Sequence, residues 1–128
     1  MISCPSAEHP RVLVVEDEPL VRLLNVDVLS EAGFDVYEAA DADEALQLLT
    51  DVSGIRVVFT DVEMPGHIDG FALAKVVEAK WPDIAVVVTS GRRMPNEAFP
   101  SAARCFVPKP YAVSHVVELI GAFVHARH

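Results

Sequence analysis

Four apolar runs in this chain each stop at a polar residue, and between them lie segments whose apolar residues recur at helical spacing. Arg11-Val12-Leu13-Val14-Val15 stops at Glu16-Asp17, and Ile55-Arg56-Val57-Val58-Phe59-Thr60 stops at Asp61. Ile84-Ala85-Val86-Val87-Val88 stops at Thr89-Ser90-Gly91, and Cys105-Phe106-Val107-Pro108 stops at Lys109-Pro110. The runs read as strands, with Phe34 to Glu38 as a fifth. After Asp17, the residues Val21, Leu24, Val28 and Ala32 fall on one face of a predicted helix, with Pro19 in its first turn and Gly33 as its stop. Asp41 caps a second helix carrying Ala45, Leu46 and Leu49, which ends before Gly54. A third follows Asp69-Gly70 with Leu73, Val76, Val77 and Trp81 inward and Pro82 as its end. The last holds a stripe of Val113, Val116, Val117, Ile120, Phe123 and Val124.

This alternation predicts βαβ units and a three-layer, doubly wound α/β sandwich around a five-stranded parallel sheet. The four polar endings then meet at one edge of the sheet, where open α/β sheets place their ligands. The alternation fails between Gly91 and Arg104. There RRMPNEAFPSAA holds Pro95 and Pro100, which leave room for a single helical turn or an irregular loop in place of a regular fourth helix.

Composition narrows the function classes. A chain of 128 residues, 52% hydrophobic, suits one domain, expected over residues 11–127 after a disordered leader at 1–10. With no room for a second folded unit, any output domain is expected on another polypeptide, and Met1 together with a helix ending near Arg127 reads as a stand-alone protein. Nineteen acidic against ten basic residues give a net charge of −9, which repels a phosphate backbone and argues against direct nucleic-acid binding. The first ten residues lack the apolar core of a signal peptide, and no apolar run approaches the roughly 20 residues of a membrane helix, so a cytoplasmic protein without membrane contact is expected. Cys4 lies in the leader and Cys105 opens an apolar run as a buried small hydrophobe, so no disulfide is expected.

Asp61 alone could be a turn cap, a metal ligand or a nucleophile. Glu16 and Asp17 would bring two more carboxylates into the same crevice, and clustered anions repel unless something compensates. A hard divalent cation does so, with Mg²⁺ favoured because such sites leave positions open for phosphate oxygens. Lys109 adds a positive charge on a long stem and Thr89 a hydroxyl able to bond a phosphate oxygen. A carboxylate nucleophile in that setting can form an aspartyl phosphate. His9, His67, His115, His125 and His128 show no metal-ligand spacing, and Arg92-Arg93 reads as a solvated pair.

The acidic pair in VLVVEDE, the acceptor motif FTDVEMPGHIDG, the hydroxyl after VVVTSG and the lysine in FVPKPY, in that order, resemble the receiver domain of bacterial two-component response regulators. The resemblance covers about Arg11 to Arg127. It implies a flavodoxin-like fold with strand order 2-1-3-4-5 and a phosphoacceptor role rather than an enzyme's. It implies Asp61 as phosphoacceptor, and Glu16, Asp17, Asp61 and the backbone carbonyl of Glu63 as ligands to Mg²⁺ or Mn²⁺. Lys109 would be the phosphate-binding lysine, Thr89 and Phe106 the switch pair, and Glu63 and Gly91 the residues that tune the phosphoryl lifetime. Lys109-Pro110 becomes a candidate cis bond. Implied partners are a histidine kinase or histidine phosphotransfer protein, an unknown downstream protein and, on phosphorylation, a second copy.

The sequence departs from that pattern in three places. Met64 to Gly70 holds one extra residue through Gly66-His67-Ile68, the region of the fourth helix is short, and Phe106 lacks a hydroxyl, so its switching must run on packing. Two rival readings are an aspartyl-nucleophile phosphatase, for which Asp61-Val62-Glu63 superficially supplies the second acid, and a phosphorylation-independent interaction module with a receiver fold. The phosphatase relatives use Asp at both positions on the first strand, with a cap domain that this length does not hold.

Overall fold

The computed structural model describes residues 9–66, 68–91 and 103–125. In chain order they form β1 Arg11–Val15, α1 Pro19–Glu31, β2 Asp35–Ala39, α2 Ala42–Asp51, β3 Ile55–Asp61, α3 Gly70–Lys80, β4 Ala85–Ser90, β5 Ala103–Pro108 and α4 Val113–His125. All strand pairs are parallel and the sheet order is β2-β1-β3-β4-β5, as expected for the flavodoxin-like arrangement. Most of the segment predicted to replace a fourth regular helix, residues 92–102, lies outside the described residues, as do residues 1–8 and His67.

Side chains alternate across the strands and so build two cores. Leu13, Val15, Val58, Val86 and Val88 face α2 and α3, packing with Ala45, Leu49, Leu73 and Val77. Val12, Val14, Val57, Phe59 and Val87 face the other way, onto Leu29 of α1 and Val116, Ile120 and Val124 of α4. Because both faces are covered, β1, β3 and β4 can be apolar almost throughout, which is why they stand out as unbroken runs.

Helix ends follow the local chemistry. The Asp41 side chain accepts from the Glu44 amide at 2.9 Å and the Asp69 side chain from the Ala72 amide at 2.9 Å, capping α2 and α3. Gly33 and Gly54, which follow α1 and α2, have φ of +103° and +84°, the left-handed region that glycine enters without a Cβ clash.

One predicted face is wrong. In α1 the buried residues are Asn25 and Leu29, whereas Leu24 and Ala32 are exposed and Val21 and Val28 only half-buried. The helix is rotated about its axis relative to the apolar stripe because polar Asn25 turns inward and donates to the Tyr111 hydroxyl at 3.2 Å. Leu20, Leu23 and Leu24 are left 74%, 55% and 52% exposed. Trp81 packs half-buried against the core on the inner side as expected, whereas Val76 is only half-buried, and Cys105, expected to be buried, is half-exposed on β5 at the sheet edge, its thiol free.

Candidate functional site

The register sets the site. Asp61 ends β3 directly opposite Thr89 on β4, and Ser90 pairs with Pro108 on β5, one residue before Lys109. On the other side Val15 pairs with Thr60, which brings Glu16, the next residue, to the level of Asp61. Four strand ends therefore deliver their polar residues to one crevice at the carboxyl edge of the sheet.

Two donors among the described residues fix the carboxylate of Asp61, whose side chain is 5% exposed. Lys109 Nζ donates to Oδ2 at 2.9 Å and the Glu63 amide donates to Oδ1 at 3.2 Å. Glu16 is buried beside it and its Oε2 accepts from the Glu18 amide at 3.0 Å. Arg22 on α1 donates from Nη1 to the Glu16 carbonyl at 2.8 Å and from Nε to Glu38 at 3.0 Å, which ties the end of β1 to α1 and β2. Asp17 is exposed, yet one carboxylate oxygen from each of Glu16, Asp17 and Asp61 lies within 4.8 Å of the others.

Such crowding shows in the proton affinities. Loss of water pushes the Glu16 carboxyl from 4.5 up to about 7; the Glu18 amide pulls against the rise and the charge of Asp61 adds to it. Asp61 also holds its proton more tightly than usual, chiefly through burial, against the pull of its bond to Lys109. Burial alone would lower the Lys109 ammonium, but the bond to Asp61 and the charges of Asp61 and Glu16 outweigh it and leave it raised. An ion pair by itself would lower the acid. Asp61 goes the other way because desolvation of a carboxylate among carboxylates exceeds what one lysine returns.

Three converging carboxylates whose charge is incompletely compensated fit a hard, oxygen-seeking dication. The fit carries a pH signature. An acid that binds its proton more tightly folded than unfolded loses stability as pH rises between the two values, for Glu16 from about 4.5 to about 7. Asp61 adds to the same trend. A bound cation removes the penalty and competes with the proton, so stabilisation by Mg²⁺ in thermal melts should be larger at about pH 8 than at about pH 5. Equal shifts at both values would contradict this.

Thr89 is 2% exposed, and its Oγ1 has no hydrogen-bond partner among the described residues. A buried, unsatisfied hydroxyl costs about 1–3 kcal/mol. Phe106 is half-buried against the core under α2 and α3. Gly91 borders the lysine stem, since a Cβ there would touch Lys109 Cβ at 3.7 Å and Cδ at 3.8 Å. The Lys109-Pro110 peptide is cis.

Two residues at the site escape a sequence reading. Gly70, placed there only as a helix start, donates its amide to the Val62 carbonyl at 3.0 Å. A Cβ on it would lie 2.8 Å from Val62 Cα and collide with the Asp61 carbonyl oxygen. A glycine just after an Asp cap that already serves the helix is the one available hint, because the cap gives no reason for it. Gly70→Ala should cost about 1–3 kcal/mol through overpacking and displace Asp61 from Lys109. Denaturant melts check this, and an unchanged midpoint would contradict it. Ser90 is the second such residue: its Oγ donates to Glu63 Oε2 at 2.6 Å.

Residues 12–121 match the family model of the response regulator receiver domain. The chain belongs to the response regulator receiver family. As a receiver of two-component systems it is 35% identical over 115 residues to the sensor kinase CckA of Brucella abortus, covering 85% of this chain and 12% of that protein. It is 30% identical over 114 residues to the chemotaxis protein CheY of Thermotoga maritima, covering 86% of this chain and 93% of that one. The receiver spans from 12% to 54% of the length of the first four curated relatives it matches. Among solved structures, the response regulator TrrA of Thermotoga maritima in complex with Mg²⁺ and BeF superposes with a TM-score of 0.80 at 28% identity, covering 88% of this chain and 97% of that one. The TrrA structure carries Mg²⁺, and the acidic pocket of this receiver is the Glu16, Asp17 and Asp61 group. Among the described residues, no helix is long and apolar enough to cross a membrane.

Proposed function

We propose that this receiver accepts a phosphoryl group on Asp61 from the phosphohistidine of a histidine kinase or histidine phosphotransfer protein. The observation that carries the reading is the meeting of the Glu16, Asp17 and Asp61 carboxylates within 4.8 Å while Lys109 bonds Asp61 at 2.9 Å. A carboxylate oxygen of Asp61 forms the bond to phosphorus as the phosphorus–nitrogen bond to the donor imidazole breaks, and the imidazole nitrogen keeps the electron pair. The Glu63 amide and Lys109 Nζ hold the two oxygens of Asp61 in a fixed orientation before transfer. The Lys109 ammonium then faces the negative charge on the transferring group. Mg²⁺, or Mn²⁺ in its place, would be held by Glu16, Asp17, Asp61 and the Glu63 backbone carbonyl, and when bound supplies neutralisation of the phosphoryl oxygens.

The response begins with Thr89. Its unpartnered hydroxyl bonds a phosphoryl oxygen, and Phe106 follows into the vacated space by packing alone. Phosphorylation thus favours one of two arrangements, and a downstream protein or a second copy of the chain binds that arrangement better. Glu63 and Gly91, bordering Asp61 and Lys109, set how readily water reaches the phosphoryl group. The role is that of a cytoplasmic signalling phosphoacceptor with residues 11–127 as its working unit. Of the exposed Leu20, Leu23 and Leu24, Leu24 lines an open cleft of about 480 Å³ with Val21, Asn25, Lys109, Pro110, Tyr111 and Val113. This apolar surface beside Lys109 suits a docking donor helix.

Beryllofluoride, which mimics a phosphoryl group on a carboxylate, tests the reading. With Mg²⁺ it should give a bound signal in fluorine NMR that chelation removes. A spectrum of free beryllofluoride alone, with Mg²⁺ present, would sink the proposal.

A further inference from the structure

Ser90 bonds to both residues that donate to the Asp61 carboxylate among the described residues. Its hydroxyl donates to Glu63 Oε2 at 2.6 Å, and its carbonyl accepts the Lys109 amide at 3.0 Å. Glu63 and Lys109 are in turn the two residues that donate to the Asp61 carboxylate, from the amide to Oδ1 and from Nζ to Oδ2. The four residues close a ring of hydrogen bonds around the acceptor. Ser90 is 2% exposed on β4, a backbone held by both neighbouring strands, so it is the rigid member of the ring. Glu63 lies in the half-exposed loop after β3, and its negative charge is close enough to raise the proton affinity of Asp61.

We infer that Ser90 is a positioning residue that restrains the Glu63 carboxylate and thereby lengthens the life of the phosphorylated acceptor. The inference rests on Asp61 being phosphorylated. Hydrolysis of an aspartyl phosphate requires a water oxygen to bond to phosphorus while the bond between phosphorus and the Asp61 oxygen breaks. The Asp61 carboxylate leaves with the electron pair, and the water gives up a proton. A carboxylate two residues from the acceptor is a base for that proton if it can turn toward the water. Held by Ser90, Glu63 has one oxygen occupied by a donor, and its side chain is fixed toward β4. Without the serine hydroxyl the carboxylate regains its freedom to turn. The sequence hides this role, since a serine following Thr89 reads as the tail of a strand.

The experiment follows loss of phosphoryl group after labelling with acetyl phosphate and Mg²⁺ and rapid removal of the donor. Ser90→Ala should shorten the lifetime about tenfold, below the 10²–10⁴-fold that a fully positioned base contributes. In a Glu63→Gln background the same substitution should leave the lifetime unchanged within about twofold, because the group it releases is no longer a base. Glu63→Asp, one methylene too short to reach Ser90, should shorten the lifetime as Ser90→Ala does and keeps the test decisive if the serine variant folds poorly. Unchanged lifetime in both Ser90→Ala and Glu63→Asp would overturn the inference, as would an equal shortening by Ser90→Ala with glutamine at 63. Wild-type protein that takes up no label at all would instead overturn the assignment of Asp61, and this inference with it.

Discussion

Replacing Asp61 by Asn should abolish phosphoryl uptake from acetyl phosphate while leaving the fold intact. The amide is a very poor nucleophile compared with a carboxylate, and no neighbouring group takes over its position at the end of β3. Glu16 is turned to the Glu18 amide and holds its proton up to about pH 7, and neither it nor the exposed Asp17 makes a bond to Lys109 in the structure. Stability separates chemistry from misfolding. Asp61 is a buried carboxylate among carboxylates whose proton affinity is already raised, so removing its charge relieves repulsion that Lys109 only partly offsets. Asp61→Asn should therefore melt at or above the wild-type temperature without Mg²⁺ and gain less from added Mg²⁺. Labelling that persists in the variant, or a cooperative fold lost with it, would contradict the account.

Replacing Lys109 by Ala should lower the rate of phosphoryl uptake by roughly 10²–10³-fold, the size seen when one preorganised donor to a developing charge is removed. The lysine contributes in two ways that are separable. Before transfer it holds Asp61 Oδ2 at 2.9 Å, and its loss leaves a buried carboxylate with the Glu63 amide as its remaining bonded donor. The proton affinity of Asp61, already raised by burial, rises further, so the pH at which uptake reaches its maximum should move up. During transfer the missing ammonium costs charge stabilisation, which no change of pH restores. A pH series of initial rates distinguishes the two: the variant should show a displaced profile and a lower plateau. A rate within about threefold of wild type at every pH would mean that Lys109 contributes nothing to the transfer.

The site was legible in the sequence because its residues sit where strands stop. A buried parallel strand is apolar along its length, so the first polar residue marks the sheet edge, and four such marks disclose a crevice without any knowledge of contacts. Glu16, Asp61, Thr89 and Lys109 all declare themselves this way. The face of α1 did not. Helical periodicity assumes that apolar residues point inward, and here Asn25 takes an inward position because Tyr111, distant in the chain, supplies a partner. The exposed leucines beside it are the complement of that exchange. Gly70 and the Ser90–Glu63 bond were hidden for a related reason. One depends on how closely α3 approaches the end of β3, the other on a bond across 27 positions of sequence, and neither leaves a pattern in local composition. The expectation for the segment around Pro95 and Pro100 falls on residues outside those described.

The central claim is that Asp61 is the residue phosphorylated. Intact mass measurement after incubation with acetyl phosphate and Mg²⁺, followed by fragmentation of the reduced and trapped acyl phosphate, tests it most directly. The account predicts a single added phosphoryl group, absent when Mg²⁺ is chelated, with the modification on the peptide containing Asp61. No added mass, or a modification mapped to Glu16, Asp17 or any residue other than Asp61, would contradict it.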